Sequence, residues 1–280
     1  MLELKEMKNI CSQVRRDIVR MVHNVQSGHP GGSLGCVEFL VALYFNIMEH
    51  NIKFNMNGTH EDIFFLSNGH ISPVFYSVLA RCGYFPIKEL NTFRKIDSRL
   101  QGHPTTHEHL PGVRIASGSL GQGLSVAIGS ALSKKINRDT KKVYCLCGDG
   151  ELQEGQVWEA IMYAGSKKVN NLILTIDVNR QQICGSTNDV LNMGSLKNKF
   201  LAFDWEVIKE SNGNNIESIL NTISSINNTI QTKPVCILLH TEMGNGVDYM
   251  MGSHKWHGIA PNDEELKIAL NQLTETLGDY

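Results

Sequence analysis

Short apolar runs, each closed by a polar or glycine turn and followed by a helical pattern, constrain this chain most. Ile63-Phe64-Phe65-Leu66 runs into Ser67-Asn68-Gly69-His70. Residues 142–147 run into Gly148-Asp149-Gly150, and residues 172–178 into Asn179. A shorter run lies near 205–208, and 235–240 leads to a glycine-rich loop at 244–258. Helical spacing is expected over the first 26 residues, with Leu4, Met7, Ile10, Val14, Ile18 and Met21 near one stripe. Further helices are expected near 34–48, 71–82, 123–137, 152–167, 216–226 and 263–277. Strands alternating with helices predict an α/β fold: a parallel sheet with helices on both faces. Ligands bind such sheets beyond the carboxyl ends of the strands. Without repeats, low-complexity tracts or linkers, residues 1–280 read as a single domain.

Composition narrows the partners. A formal net charge of -2 offers no electrostatic case for nucleic acid. No run approaches 18 uninterrupted apolar residues, so no membrane span is expected. The N-terminal stretch lacks the apolar core of a secretory signal. Seven cysteines without a CxxC pair read as reduced thiols, and the expected location is cytoplasmic.

Asp149 stands between two glycines that let the backbone turn sharply against a ligand. One β-α-β unit fits between it and Asn179, which would set both side chains on neighbouring strands. A carboxylate plus an amide oxygen suits magnesium, a hard ion that fills its shell with phosphate oxygens and water. The helix after Gly150 would aim its N-terminus at that anion. A lone Gly-Asp-Gly is also a common turn; it is the pair at this spacing that points to a metal-bound diphosphate. The run 118–123 is G-x-x-G-x-G, not the G-x-G-x-x-G of nicotinamide dehydrogenases.

The string from Gly148 to Ala160 (GDGELQEGQVWEA), with Asn179, resembles transketolase. So do Ser27-Gly28-His29-Pro30-Gly31, Leu66-Ser67-Asn68-Gly69-His70, Gly102-His103-Pro104, Leu120-Gly121-Gln122-Gly123 and Gly252-Ser253-His254-Lys255-Trp256-His257-Gly258. The resemblance implies a diphosphate-binding domain holding thiamine diphosphate and Mg2+, with Ca2+ or Mn2+ as chemically admissible substitutes. It implies that Asp149, Asn179 and the carbonyl of Gln181 ligate the metal. Gly150 and Asn179 would touch the diphosphate, His70 and His257 would bond it, and Gly118-Ser119-Leu120 would approach the aminopyrimidine. Many transketolases carry proline at the position of Ser119. His29 and His257 would face the sugar, and His103 would contact the donor's terminal hydroxyl. Histidine suits proton traffic near neutral pH. Across the cofactor pair, Glu159 would serve as a relay or interface residue toward a partner chain, although a solvated helix carboxylate is the equal alternative.

A full-length transketolase continues into a pyrimidine-binding and a C-terminal domain, and this chain ends at Tyr280. The resemblance therefore implies the N-terminal subunit of a split transketolase, with a C-terminal subunit supplying the missing domains in an α2β2 assembly. The expected reaction is transfer of a two-carbon ketol unit from a ketose phosphate to an aldose. Alternatives are a deoxyxylulose-phosphate synthase-like or 2-oxo acid decarboxylase subunit, a split transketolase for branched or sulfonated sugars, or a non-catalytic regulatory partner.

Overall fold

The structure, a computed structural model, describes residues 2–280. Its helices are α1 (Leu4–Asn24), α2 (Pro30–Gly35), α3 (Val37–Ala42), α4 (Ser72–Arg81), α5 (Gly123–Ile136), α6 (Gly155–Ser166), α7 (Thr187–Leu191), α8 (Leu196–Ala202), α9 (Ile216–Asn227) and α10 (Asp263–Gln272). Its strands are β1 (Ile63–Leu66), β2 (Val143–Gly148), β3 (Leu172–Val178), β4 (Gln181–Gln182), β5 (Gly185–Ser186), β6 (Glu206–Glu210) and β7 (Val235–His240). Five of them pair in parallel in the order β1-β2-β3-β7-β6, while β4 and β5 make a separate hairpin.

Both faces of the sheet are buried, which is why its strands read as continuous apolar runs rather than alternating ones. Phe64, Leu66, Tyr144, Leu146, Ile173, Ile237 and Leu239 face one core, shared with α1, α3, α4 and α9. Ile63, Phe65, Val143, Cys145, Cys147, Leu172, Leu174 and Ile176 face the other, shared with α5, α6, Phe200 and Trp205. Cys145 and Cys147 thus act as small core side chains, and all seven cysteines are free; Cys184, on the hairpin, is exposed. Among the described residues no helix is long and apolar enough to cross a membrane.

Several expectations shift. The helix expected near 34–48 begins at Pro30, breaks at Cys36 and finishes in a π turn at Leu43–Ile47. The C-terminal helix stops at Gln272, and the strand expected near 205–208 runs from Glu206 to Glu210. The helix after the Gly-Asp-Gly turn starts only at Gly155, because Gly150–Gln153 forms a 3-10 turn first. The Gly150 amide donates to Oδ1 of Asp149 at 2.8 Å. The amides nearest Asp149 therefore belong to this tight turn and not to a helix N-terminus.

Candidate functional site

Strand register brings the predicted residues to one edge. Gly148 lies opposite Asp177, and Val178 opposite His240. Asp149 and Asn179 therefore emerge side by side from neighbouring strands, as one β-α-β unit requires. Beyond them opens a cleft of about 400 Å³. His29, His70, His103, His257, Gly118, Leu120, Asp149, Gly150, Asn179 and Gln181 all line it. Ser119 and Glu159 lie outside this lining, and both are exposed, Glu159 on α6. A cleft of similar volume, about 390 Å³, lies elsewhere beside α1 and α9 and holds none of these histidines.

Close backbone approaches gather the histidines. A Cβ on Gly31 would sit 2.7 Å from the carbonyl oxygen of Trp256, so only glycine lets the start of α2 seat against the His257 loop. A Cβ on Gly69 would lie 2.3 Å from the carbonyl oxygen of Ser117, which draws the His70 turn against Gly118. The rings then meet. His70 stacks on His257 with centroids 5.0 Å apart, and His29 stands edge-on to both at 5.2 and 5.6 Å. His103 lies 6.1 Å from His29.

Burial favours the neutral imidazoles. It lowers His29 to about 4, with help from charge on His257, Arg94 and His103. His70 is driven well below its ordinary value by burial and then by His257, His29 and His103. His103 is lowered by burial and by Arg94, and His257 by burial. The buried Nδ1 atoms of His29 and His257, and Oδ1 of the cleft residue Asn68, have no partner within the chain. Unpartnered buried polar atoms on residues that line a cleft fit a polar ligand.

The acidic end is held by backbone amides. Oδ2 of Asp149 accepts from the Arg180 amide at 2.7 Å. Burial, then the charge of Asp177, raise Asp149 to about 7. Asp177, itself 1% exposed, accepts from Nδ2 of Asn179 at 2.8 Å and from the Thr241 hydroxyl. This fixes the Asn179 amide, whose Oδ1 takes the Gln181 amide at 2.9 Å. Two adjacent buried carboxylates without a cation fit a metal ion, which would relieve their repulsion. Among the described residues no group of three or more His, Cys, Asp or Glu is spaced to hold a metal. A set of one carboxylate, one amide and one carbonyl is not such a group, and it suits magnesium shared with phosphates.

Asn68, Asp177 and Glu151 are among the cleft residues to which the sequence reading gives no role. Asn68 lies inside a quoted motif. Asp177 was legible as an acid within an apolar strand, a placement that calls for a polar task. Glu151, 3% exposed, accepts from the Ser67 hydroxyl at 2.5 Å, the Gly121 amide at 2.7 Å and the Gly148 amide at 3.0 Å. One carboxylate thereby ties three cleft segments together.

A parallel sheet whose strand ends offer a fixed carboxylate and amide beneath a neutral histidine cluster is the framework of a diphosphate-cofactor enzyme. The chain belongs to the transketolase family, matching the model described as "Transketolase, thiamine diphosphate binding domain" over residues 6–276. It is 38% identical over 276 residues to an apulose-4-phosphate transketolase subunit from Phocaeicola vulgatus, covering 99% of this chain and 95% of that one. It is 34% identical over 272 residues to a 6-deoxy-6-sulfo-D-fructose transketolase subunit from a Clostridium species, covering 97% and 96%. Human transketolase is 33% identical over 257 residues, and there the match takes in 91% of this chain but 40% of the longer protein. The crystal structure of Campylobacter jejuni transketolase superposes with a TM-score of 0.89 at 33% identity, covering 97% of this chain and 43% of that one.

Proposed function

We propose that this chain is the N-terminal subunit of a split transketolase, transferring a two-carbon ketol unit from a ketose phosphate to an aldose once a second chain supplies the pyrimidine-binding domain. The observation that carries this reading is the neutral histidine cluster beside the Asp149–Asn179 strand ends, in one cleft. Its near end-to-end match to one subunit of an apulose-4-phosphate transketolase supports the two-chain arrangement, which we take to be an α2β2 assembly.

In this reading Asp149, the Asn179 amide and the carbonyl of Gln181 hold Mg2+, and Gly150, His70 and His257 receive the diphosphate. Gly118 and Leu120 line the wall toward the aminopyrimidine, with Ser119 contributing at most from the rim. Thiamine diphosphate, when bound, supplies the electron sink that lets a bond next to a carbonyl break. His29, His103 and His257 meet the sugar hydroxyls. Held neutral, each imidazole has one nitrogen free to accept a proton and one able to donate. Glu159, exposed on α6, is an interface residue whose partner lies on another chain.

Because two relatives are named for apulose-4-phosphate and 6-deoxy-6-sulfo-D-fructose, those sugars are the first substrates to try. The test is reconstitution with a C-terminal transketolase subunit, in thiamine diphosphate and Mg2+, against a panel of ketose phosphates and such sugars. Ketol transfer is expected from the assembled pair and not from this chain alone; turnover by the isolated chain would sink the split-subunit reading.

A further inference from the structure

We propose that Arg94 is a positioning residue for the histidine cleft: it braces the loops that carry His29 and His103 against each other and sets an uncompensated positive charge behind both. Nη1 of Arg94 donates to the Ser27 hydroxyl at 3.0 Å, just before His29 in the chain. Nη2 reaches the Gly102 carbonyl at 3.5 Å, next to His103, and the Ser72 hydroxyl secures the same carbonyl at 2.7 Å. A Cβ on Gly102 would fall 2.6 Å from Cζ of Arg94, so this glycine makes the seat for the guanidinium. The neighbouring Phe93, 1% exposed, would meet a Cβ on Gly28 at 3.4 Å, so the same stretch of chain packs against the backbone just after Ser27.

The backbone is committed to this arrangement. Arg94 has φ +55°, a left-handed conformation that side chains other than Asn, Asp and Gly seldom adopt. Its amide closes a loop onto the carbonyl of Leu100 at 2.9 Å. Strain of this kind persists where surrounding structure enforces it, often beside functional sites.

The charge is unusual within this protein. Arg15, Arg16, Arg20, Arg81, Arg99 and Arg114 each pair with a carboxylate. Among the described residues, Arg138 and Arg180 form no ion pair, but both are exposed and water screens them. Arg94 alone is half-buried without an acid partner, and its Nε is buried with no hydrogen bond at all. Burying an uncompensated charge costs stability. Its field falls on His29 and His103, lowering both. His29 otherwise faces His70, His103 and His257, with no carboxylate against its ring. Among the described residues, the Tyr76 phenol is the titratable group whose charge acts back on Arg94. Arg94 therefore adds to burial in disfavouring the charged forms of His29 and His103, while bracing the loops that carry them.

The value of this for turnover rests on the proposed ketol transfer; the test does not. Imidazole NMR signals would be titrated in the whole chain, without cofactor, partner or sugar, for the wild type and for Arg94→Met, Arg94→Gln and Arg94→Lys. Removing the charge should raise the midpoints of His29 and His103 by roughly half a pH unit or more. His257, on which Arg94 is not seen to act, is the internal control and should stay. Arg94→Lys should keep both midpoints near wild type. If the methionine variant does not fold, the glutamine–lysine comparison decides. Unmoved midpoints in the neutral variants, or equal movement of His257 and in the lysine variant, would overturn the proposal. In the reconstituted enzyme, the acid limb of kcat/KM should move to higher pH in Arg94→Met. A titration that shifts as expected, in an enzyme without ketol transfer, would leave Arg94's role standing and remove the functional reading.

Discussion

Asp149 offers both carboxylate oxygens to backbone amides, from Gly150 and Arg180, so its rotamer is set before any ligand arrives. Preorganisation of this kind lowers the cost of binding. Asp149→Ala should weaken Mg2+-dependent thiamine diphosphate binding about a hundredfold, measured by calorimetry on the assembled enzyme. Unchanged affinity would remove Asp149 from the metal site. At this scale the site was legible where chemistry coincides with a chain break. Asp149, Asn179 and the four histidines follow strands or sit in glycine- or proline-containing turns. Asp177 and Glu151 were less so, because each works on a neighbour: Asp177 on the Asn179 amide, Glu151 on Gly121 and Gly148. The Glu151–Gly121 contact joins segments that only tertiary packing brings together, and the Asp177–Asn179 contact depends on how the chain turns after β3, neither of which a linear pattern displays.

Helix α5 shows how an element is fastened at the end far from the cleft. Lys134, 5% exposed, donates to the carbonyls of Gly58 and Glu61 at 2.7 and 2.8 Å and to Asp139 at 2.8 Å. Burial pushes the Asp139 carboxyl up, but the Lys134 ammonium and the amides of Lys141 and His60 outweigh it and bring it to about 2. A depressed carboxyl contributes stability above its unfolded value near 4 and loses it as pH falls toward 2. Lys134→Met should destabilise the fold by on the order of 2 kcal/mol at neutral pH, since two buried carbonyls and a carboxylate lose their partner. Denaturant melts from pH 7 to pH 2 should show the gap between wild type and variant narrowing below about pH 4. A constant gap would mean that Asp139 takes no part. Elements were legible in proportion to their apolar periodicity. The core strands, α1, α5 and α9 stand close to where periodicity puts them. The region with β4, β5, α7 and α8 escaped, being polar and mostly exposed with little repeating pattern. The break at Cys36 escaped for the opposite reason: α2 and α3 are buried on every side, so no face marks where one ends.

At the scale of the molecule, cores on both faces of the sheet make the strand ends a rigid platform and leave variation to the loops above them. The parallel sheet followed from alternation alone, whereas its strand order β1-β2-β3-β7-β6 did not, since alternation is silent about which strands adjoin. That order also has a temporal side. Val143 pairs with Leu172 across one helix, but Ile63 must find Val143 across the His70, His103 and α5 segments. Closing the longer loop costs more entropy before it returns any contact. Pulse-labelled hydrogen exchange during refolding should therefore protect β2 and β3 ahead of β1, and simultaneous protection would contradict this. The His70 turn, which follows β1 directly, would then be among the last parts of the cleft to take shape, and a refolding chain would present its Asp149 edge before the histidine wall above it was complete.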